Sequence, residues 1–173
     1  VIEDNEKNQY VWIPVDGILG ENGTIDDVTG SEKKILLGRY SFDLSGTPSD
    51  NGSTNFIEET QKEHETSGYG NTIAKDIEEF IDSVRENGGY YLARFEASQN
   101  TVTNKVESKY DKTVWTNMTQ SVAATACQDL YTGVNSDLIN SYAWDTAILF
   151  IQKNGKTDYS IEIGKSTTNS KAN

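Results

Sequence analysis

Apolar side chains occur in short segments that long polar stretches separate. Residues 10–15 read YVWIPV and residues 35–44 read ILLGRYSFDL. Both segments are rich in aromatic and β-branched or aliphatic side chains, which favours strands. Residues 89–98, GYYLARFEAS, predict a further strand by their alternation. Pro14 favours a strand end or an edge strand, because proline donates no backbone hydrogen bond.

The clearest helical pattern covers residues 71–87, NTIAKDIEEFIDSVREN. Asn71 or Thr72 can cap its start. Gly88 and Gly89 follow it and can provide a left-handed stop. One side of this predicted helix is apolar and should be buried, through Ile73, Ile77, Phe80, Ile81 and Val84.

Two further helices are predicted, at about 119–131 and about 141–153. Thr119 and Ser141 are the expected N-caps. We expect the first of them to bury an apolar face made by Val122, Ala123, Ala126, Cys127 and Leu130. We expect the second to bury a face made by Trp144, Ala147, Ile148 and Ile151 and to end at Gly155.

The remaining segments are polar and should be turns, loops or tails. Residues 1–9 are expected to fray and residues 165–173 to form a tail. Residues 45–55 and 99–112 are expected to be exposed loops. Together these predictions give an α+β fold in which two to three helices pack on a small, mainly antiparallel sheet. Residues 157–164 can add a short final strand.

The net charge and the composition narrow the classes of partner that this chain can bind. The chain has 173 residues, a formal net charge of −12 and 35% hydrophobic residues. A phosphate backbone would be repelled, so we expect no nucleic-acid partner. No segment approaches the roughly 20 apolar residues of a membrane helix, so we expect no membrane insertion within this chain. An acidic surface leaves calcium binding open, although no loop has the D-x-[DN]-x-[DN]-G spacing of a calcium loop. We expect no other cofactor.

Only one cysteine and one histidine are present, Cys127 and His64. An internal disulfide is therefore impossible, and no chemistry that needs two cysteines can occur within the chain. Cys127 lies on the apolar face of a predicted helix and is expected to be a buried, inert thiol. His64 lies in a polar segment and is expected to be solvated. These counts predict no catalytic residues and no metal ligands.

Three segments in order resemble the formylglycine-generating-enzyme-like domain, a branch of the C-type lectin fold. The first is the strand ending Phe95-Glu96-Ala97-Ser98. The second is the helix that Trp115 and Thr119 precede. The third is the run of residues 138–147, LINSYAWDTA, which matches the family's L-P-T-E-A-E-W-E-x-A signature at Leu138, Trp144 and Ala147. Asp145 is a conservative change, and Ile139 stands where the family has proline.

The resemblance covers about residues 88–152 and implies a C-type-lectin-like fold in which the matched residues are mainly structural. YVWIPV is similar to the first strand of such domains. The expected organisation is a polar stretch over 1–9, a single α+β domain over 10–164 with a family-specific insertion at about 16–87, and a tail. The expected structural core consists of Trp12, Phe80, Tyr91, Phe95, Glu96, Trp115, Cys127, Leu138, Trp144 and Ile148.

The resembling enzymes oxidise a substrate cysteine with a cysteine pair in the C-terminal part of the domain, and this chain has no such pair. We therefore expect a non-catalytic binding or structural domain with an unknown protein or glycan ligand. The implied location is extracellular or at the surface of a bacterium or a phage-like particle. The alternatives are a fragment of a formylglycine-generating-type oxidising enzyme and a structural subunit of a surface appendage.

A C-type lectin fold that stopped soon after the helix of Trp144 would lack central strands and would expose a sheet edge. We expect either a second chain or copy to donate strands to that edge, or residues 16–70 to cover it. The strand-like segment 35–44 favours the second arrangement.

Overall fold

A computed structural model describes residues 1–19, 35–42, 48–50 and 77–154. The chain divides into two compact units, each made of two segments. Unit 1 comprises residues 1–13 and 58–139, and unit 2 comprises residues 14–57 and 140–173. The single domain and the insertion expected from the sequence stay predictions.

Three helices and several short strands confirm the α+β class. In chain order the elements are β1 (Ile2–Glu3), β2 (Gln9–Pro14), β3 (Gly17–Ile18), β4 (Leu36–Leu37), β5 (Tyr40–Phe42), β6 (Pro48–Asp50), α1 (Ile77–Asn87), β7 (Gly89–Ala93), β8 (Ser98–Gln99), β9 (Val106–Glu107), α2 (Gln120–Gln128) and α3 (Ser141–Asn154). Among the described ranges no helix is long and apolar enough to cross a bilayer. His64, Gly155 and residues 157–173 lie outside the described residues.

A three-stranded sheet in the order β1-β2-β7 is central to unit 1. β1 pairs with β2 in the antiparallel sense, with Ile2 opposite Tyr10. The expectation that residues 1–9 fray is therefore wrong. The turn between β1 and β2 is closed by polar contacts, because the carboxylate of Asp4 accepts hydrogen bonds from the backbone N–H groups of Glu6 (2.9 Å) and Asn8 (2.8 Å).

The α1–β7 junction follows the sequence prediction closely. Ile77, Ile81 and Val84 are buried, as the apolar stripe predicts, whereas residues 71–76 lie outside the described part of the chain. Gly88 has a φ of 71°, the left-handed conformation that glycine adopts at a helix end. Its N–H donates to the carbonyl of Val84 at 2.8 Å. The chain then enters β7 without an intervening loop.

Residues 99–112 are not the exposed loop that their polarity predicts. β8 and β9 form an antiparallel hairpin, in which Ser98 lies opposite Glu107. Val106, Glu107 and Ser108 are all buried. The polar members can be buried because they have partners: the N–H of Ser108 donates to Oδ1 of Asn8 at 3.0 Å.

Thr119 caps α2 as predicted, with its Oγ1 accepting from the N–H of Val122 at 3.4 Å. The predicted apolar face is wrong in part. Ala124 is the buried residue of this helix, and Val122 is exposed. The run is rich in small apolar residues, so hydrophobicity hardly distinguishes one face of the helix from another.

Unit 2 contains two strand pairs. β3 and β4 pair in parallel, with Gly17 opposite Leu36, and β5 pairs with β6 in the antiparallel sense. The segment 35–44, predicted as one strand, is thus two short strands with different partners. β6 falls in the predicted loop at 45–55. In the described residues β3–β6 pair only among themselves. The covering of a sheet edge by residues 16–70 stays a prediction.

Asn140, not Ser141, caps α3. Its Oδ1 accepts from the N–H of Ala143 at 2.9 Å. Oγ of Ser141 is buried and has no hydrogen-bond partner among the described residues. The prediction that Trp144 is buried is also wrong, because its side chain is 46% exposed. The buried residues of α3 are Tyr142, Ala143, Asp145, Thr146, Ala147 and Leu149.

Two polar residues determine which face of α3 is buried. Oδ2 of Asp145 accepts from Nε of Arg39 (2.8 Å) and from the N–H of Tyr40 (3.0 Å). Oγ1 of Thr146 accepts from the N–H of Gly38 at 3.2 Å. The backbone N–H groups of Gly38 and Tyr40 need acceptors when they leave water, so the face of α3 that carries Asp145 and Thr146 among its apolar residues packs inward and Trp144 turns outward. Ile148, predicted on the same face as Trp144, is partly buried.

Candidate ligand-binding surface

A row of aromatic side chains lies on one side of the β2–β7 pair in unit 1. The rings of Trp12 and Tyr91 have centroids 4.9 Å apart at an interplanar angle of 58°. The rings of Tyr10 and Tyr131 are 6.1 Å apart at 64°. Side chains two positions apart in a strand share a face, so Tyr10 and Trp12 belong together. We refer to Tyr10, Trp12, Tyr91 and Tyr131 as the aromatic face.

The opposite side of β7 is covered by α1. Tyr90 packs edge-on against Phe80 at 5.3 Å, and burial raises the pKa of the Tyr90 hydroxyl. Strand alternation then directs Tyr91 away from the helix, and its side chain is 52% exposed. The prediction that Tyr91 belongs to the core is therefore wrong. The aromatic face is the side of the sheet that α1 leaves uncovered.

Gly89 fixes the position of the Trp12 indole. A Cβ atom at Gly89 would lie 2.6 Å from Cζ2 of Trp12 and 2.3 Å from the carbonyl oxygen of Ile13. Its φ is 152°, which L side chains rarely adopt. The N–H of Arg94 donates to the carbonyl of Gln9 at 2.9 Å. The strands therefore run in opposite directions, and the indole lies across the first residue of β7.

A hydrogen-bond chain holds the tyrosine end of the aromatic face. The hydroxyls of Tyr10 and Tyr131 are 2.7 Å apart, and Tyr131 donates to Oδ2 of Asp4. Nδ2 of Asn8 donates to the same oxygen at 2.9 Å. Partial burial alone would raise the pKa of Asp4, but the hydrogen bonds from Tyr131 and Asn8 outweigh it, and the pKa lies below its ordinary value. Burial, together with the bond to Asp4, raises the pKa of Tyr131.

A second aromatic pair lies where β7 ends. Phe95 and Tyr110 have ring centroids 5.9 Å apart, and Tyr110 is 79% exposed. The guanidinium of Arg94 lies 5.2 Å from the centre of the Phe95 ring, and its Nη1 donates to Oε1 of Gln9 at 2.7 Å. This pair provides an exposed tyrosine outside the aromatic face.

Most of the other predicted core residues are partly buried, and one is exposed. Trp12, Phe80 and Phe95 are partly buried, as are Trp115, Cys127 and Leu138. Glu96 is exposed, so its place in the core is wrong. Ser108 binds the backbone next to Glu96: its Oγ accepts from the N–H of Phe95 and donates to the carbonyl of Phe95, each at 3.1 Å.

Cys127 has the environment of a weakly acidic thiol. Burial, and then the carboxylate of Asp137, raise the pKa of Cys127 above its ordinary value. A raised pKa lowers the thiolate fraction at neutral pH, and the thiolate is the nucleophile. The described residues contain no group of three or more His, Cys, Asp or Glu side chains that could hold a metal ion.

Comparison with known proteins gives no relative: no protein-family model, no curated protein and no solved structure matches this chain. The prediction from the sequence identified Trp12 and Tyr91 as important residues but placed both in the core. Strand alternation at residues 90–92 was the signal that could have placed Tyr91 outside, once α1 was known to cover Tyr90.

Proposed function

We propose that this chain is a non-catalytic binding domain and that the aromatic face is its binding surface. The observation that carries the proposal is the pairing of a partly buried Trp12 with a half-exposed Tyr91 on the strand face opposite α1. Exposed aromatic rings that are held in place from below are typical of interaction sites, since they offer a large contact area with little loss of side-chain entropy. The contact with Gly89 and the bonds to Asp4 provide that support.

A neutral glycan is the ligand that fits this surface best. The faces of aromatic rings carry partial negative charge and attract the C–H groups on one side of a sugar ring. Because Tyr131 donates to Asp4 and Tyr10 to Tyr131, the two hydroxyl oxygens next to the rings can accept hydrogen bonds from sugar hydroxyls. The net charge of −12 disfavours anionic ligands such as nucleic acid.

The proposal includes a C-type-lectin-like fold and a location outside the cell, at the surface of a bacterium or a phage-like particle. Its support is the order of segments over residues 88–152 and the lack of a cysteine pair. Function on such a scaffold depends on the surface residues and not on the fold.

A glycan array probed with the full chain and two matched variants tests the proposal. Tyr91→Ala removes one ring of the aromatic face, and Tyr110→Ala removes an exposed tyrosine elsewhere in unit 1. We expect binding to at least one neutral glycan. The Tyr91 change should weaken it about tenfold, because one ring contact is worth about 1.4 kcal/mol. The Tyr110 change should leave it unaltered.

Equal loss in both variants, or none in either, would locate binding away from the aromatic face. A parent chain that binds no glycan would contradict the ligand class and would favour the structural subunit of an appendage. Conversion of a substrate-peptide cysteine to an aldehyde by this chain would instead favour the oxidising enzyme.

A further inference from the structure

The β8–β9 hairpin brings a lysine, a glutamate and an asparagine together. Nζ of Lys109 lies 2.6 Å from Oε2 of Glu107, and Nδ2 of Asn100 donates to that same oxygen at 3.3 Å. The side chain of Glu107 is 6% exposed and that of Lys109 is 21% exposed. One largely buried carboxylate oxygen therefore bridges an amine and a carboxamide.

Two hydrogen bonds also polarise the oxygen end of the Asn100 carboxamide. Its Oδ1 accepts from the N–H groups of Val102 (3.0 Å) and Thr103 (3.1 Å). Two backbone donors on one carbonyl oxygen have the arrangement that stabilises an oxyanion when a nucleophile adds to the carbon. These bonds also define which end of the carboxamide is oxygen, because only oxygen can accept them.

We propose that Lys109 and Asn100 form an intramolecular isopeptide bond, with Glu107 as the proton carrier. The carboxylate of Glu107 takes one proton from the ammonium of Lys109, and the neutral Nζ adds to Cγ of Asn100. The N–H groups of Val102 and Thr103 hold the resulting oxyanion. Glu107 then gives this proton to Nδ2 and takes the second proton from Nζ, and the Cγ–Nδ2 bond breaks as the oxyanion returns to a carbonyl.

Atoms and electrons balance without a further reactant. The new bond joins Nζ to Cγ, the first proton leaves with the amide nitrogen as ammonia, and the ammonia takes the second proton from Glu107 to become ammonium, so Glu107 ends as a carboxylate. Neither an oxidant nor water is consumed.

The ion pair between Lys109 and Glu107 should limit the rate at which the isopeptide bond forms. The hydrogen bond from Lys109 is the main reason why the pKa of Glu107 lies below its ordinary value. The neutral amine and carboxylic acid are thus the minor form of the pair, and the reaction should be slow. Since the amine must lose a proton before it adds to Cγ, a higher pH should accelerate bond formation.

Mass spectrometry of the full chain tests the proposal, after expression and after several days at mildly alkaline pH. We expect a mass lower by one ammonia than the sequence predicts. Trypsin should not cleave after an acylated Lys109, so residues 95–105 should be recovered joined to residues 106–112. Lys109→Arg should abolish the linked peptide, Glu107→Gln should slow its formation, and Lys112→Arg, which alters a nearby exposed lysine, should leave it unaffected.

A parent chain that keeps its full calculated mass after the incubation would overturn the proposal. A loss of ammonia that persists in Lys109→Arg would overturn it as well, because it would indicate a cyclised asparagine. Circular dichroism of each variant separates a failure to fold from a failure to react.

Discussion

At the scale of single residues, Asp4 shows how one carboxylate organises its surroundings. It accepts from two backbone N–H groups, from Asn8 and from Tyr131. Asp4→Asn keeps the shape but removes the charge. Hydrogen bonds to charged groups contribute roughly 1.5–3 kcal/mol each. Because an asparagine oxygen still accepts some of them, we expect a loss of about 1–3 kcal/mol of unfolding free energy at neutral pH.

The same residue predicts a pH dependence of definite sign. The folded-state pKa of Asp4 lies below the ordinary value of 3.8, so its contribution is fully present above that pH. It is lost as the pH falls through the lower folded-state value. Urea unfolding from pH 7 to pH 2 should therefore show the parent and Asp4→Asn converging in acid. Glu6→Gln, which neutralises an exposed carboxylate in the same turn, is the matched control variant.

At the scale of elements, α3 allows a direct comparison of its two faces. Asp145→Ala removes the oxygen that accepts from Nε of Arg39 and from the backbone N–H of Tyr40. The Arg39 side chain and the Tyr40 backbone are both partly buried. We expect a loss of about 3 kcal/mol of unfolding free energy, as for other broken buried pairs. Trp144→Ala removes a ring that is nearly half exposed, and should cost no more than about 1 kcal/mol.

Denaturant midpoints at constant slope would measure both changes. Asp145→Asn, which retains one acceptor oxygen, serves as the milder control. If Trp144→Ala were the more damaging change, the indole would be part of the core and the orientation of α3 described above would be incorrect.

The helices show which features a single sequence can predict. α1 was predictable because its apolar stripe and its glycine stop act locally and agree with each other. The buried face of α3 was not, since Asp145 and Thr146 face inward to meet backbone groups of residues 38–40, far away in sequence. Hydrophobic spacing treats such residues as solvated.

The β8–β9 hairpin and the aromatic face were missed for related reasons. Each strand of the hairpin has two residues, and its buried positions include Glu107 and Ser108, so no alternation was visible. Trp12 and Tyr91 were identified as important aromatic residues, but exposure depends on which side of the sheet a helix covers. A periodic pattern contains no information on that choice.

At the scale of the whole molecule, the chain passes between the two compact units three times, at residues 13–14, 57–58 and 139–140. Neither unit is therefore a continuous segment. In unit 1, β2 pairs with β7, although more than 70 residues separate them in sequence. Strand pairing at such a separation requires closure of a long loop before any contact stabilises it.

The direct passage from α1 into β7 at Gly88 has a consequence for the order of folding. A helix and a strand joined without a loop can meet at almost no entropic cost, whereas β2 must be brought in from far along the chain. We expect the α1–β7 pair to be formed in the transition state and β2 to join later. Stopped-flow refolding should then give a high φ-value for Val84→Ala in α1 and a value near zero for Ile13→Val in β2, two buried sites of unit 1. Equal values at the two sites would mean that the whole sheet assembles in a single step.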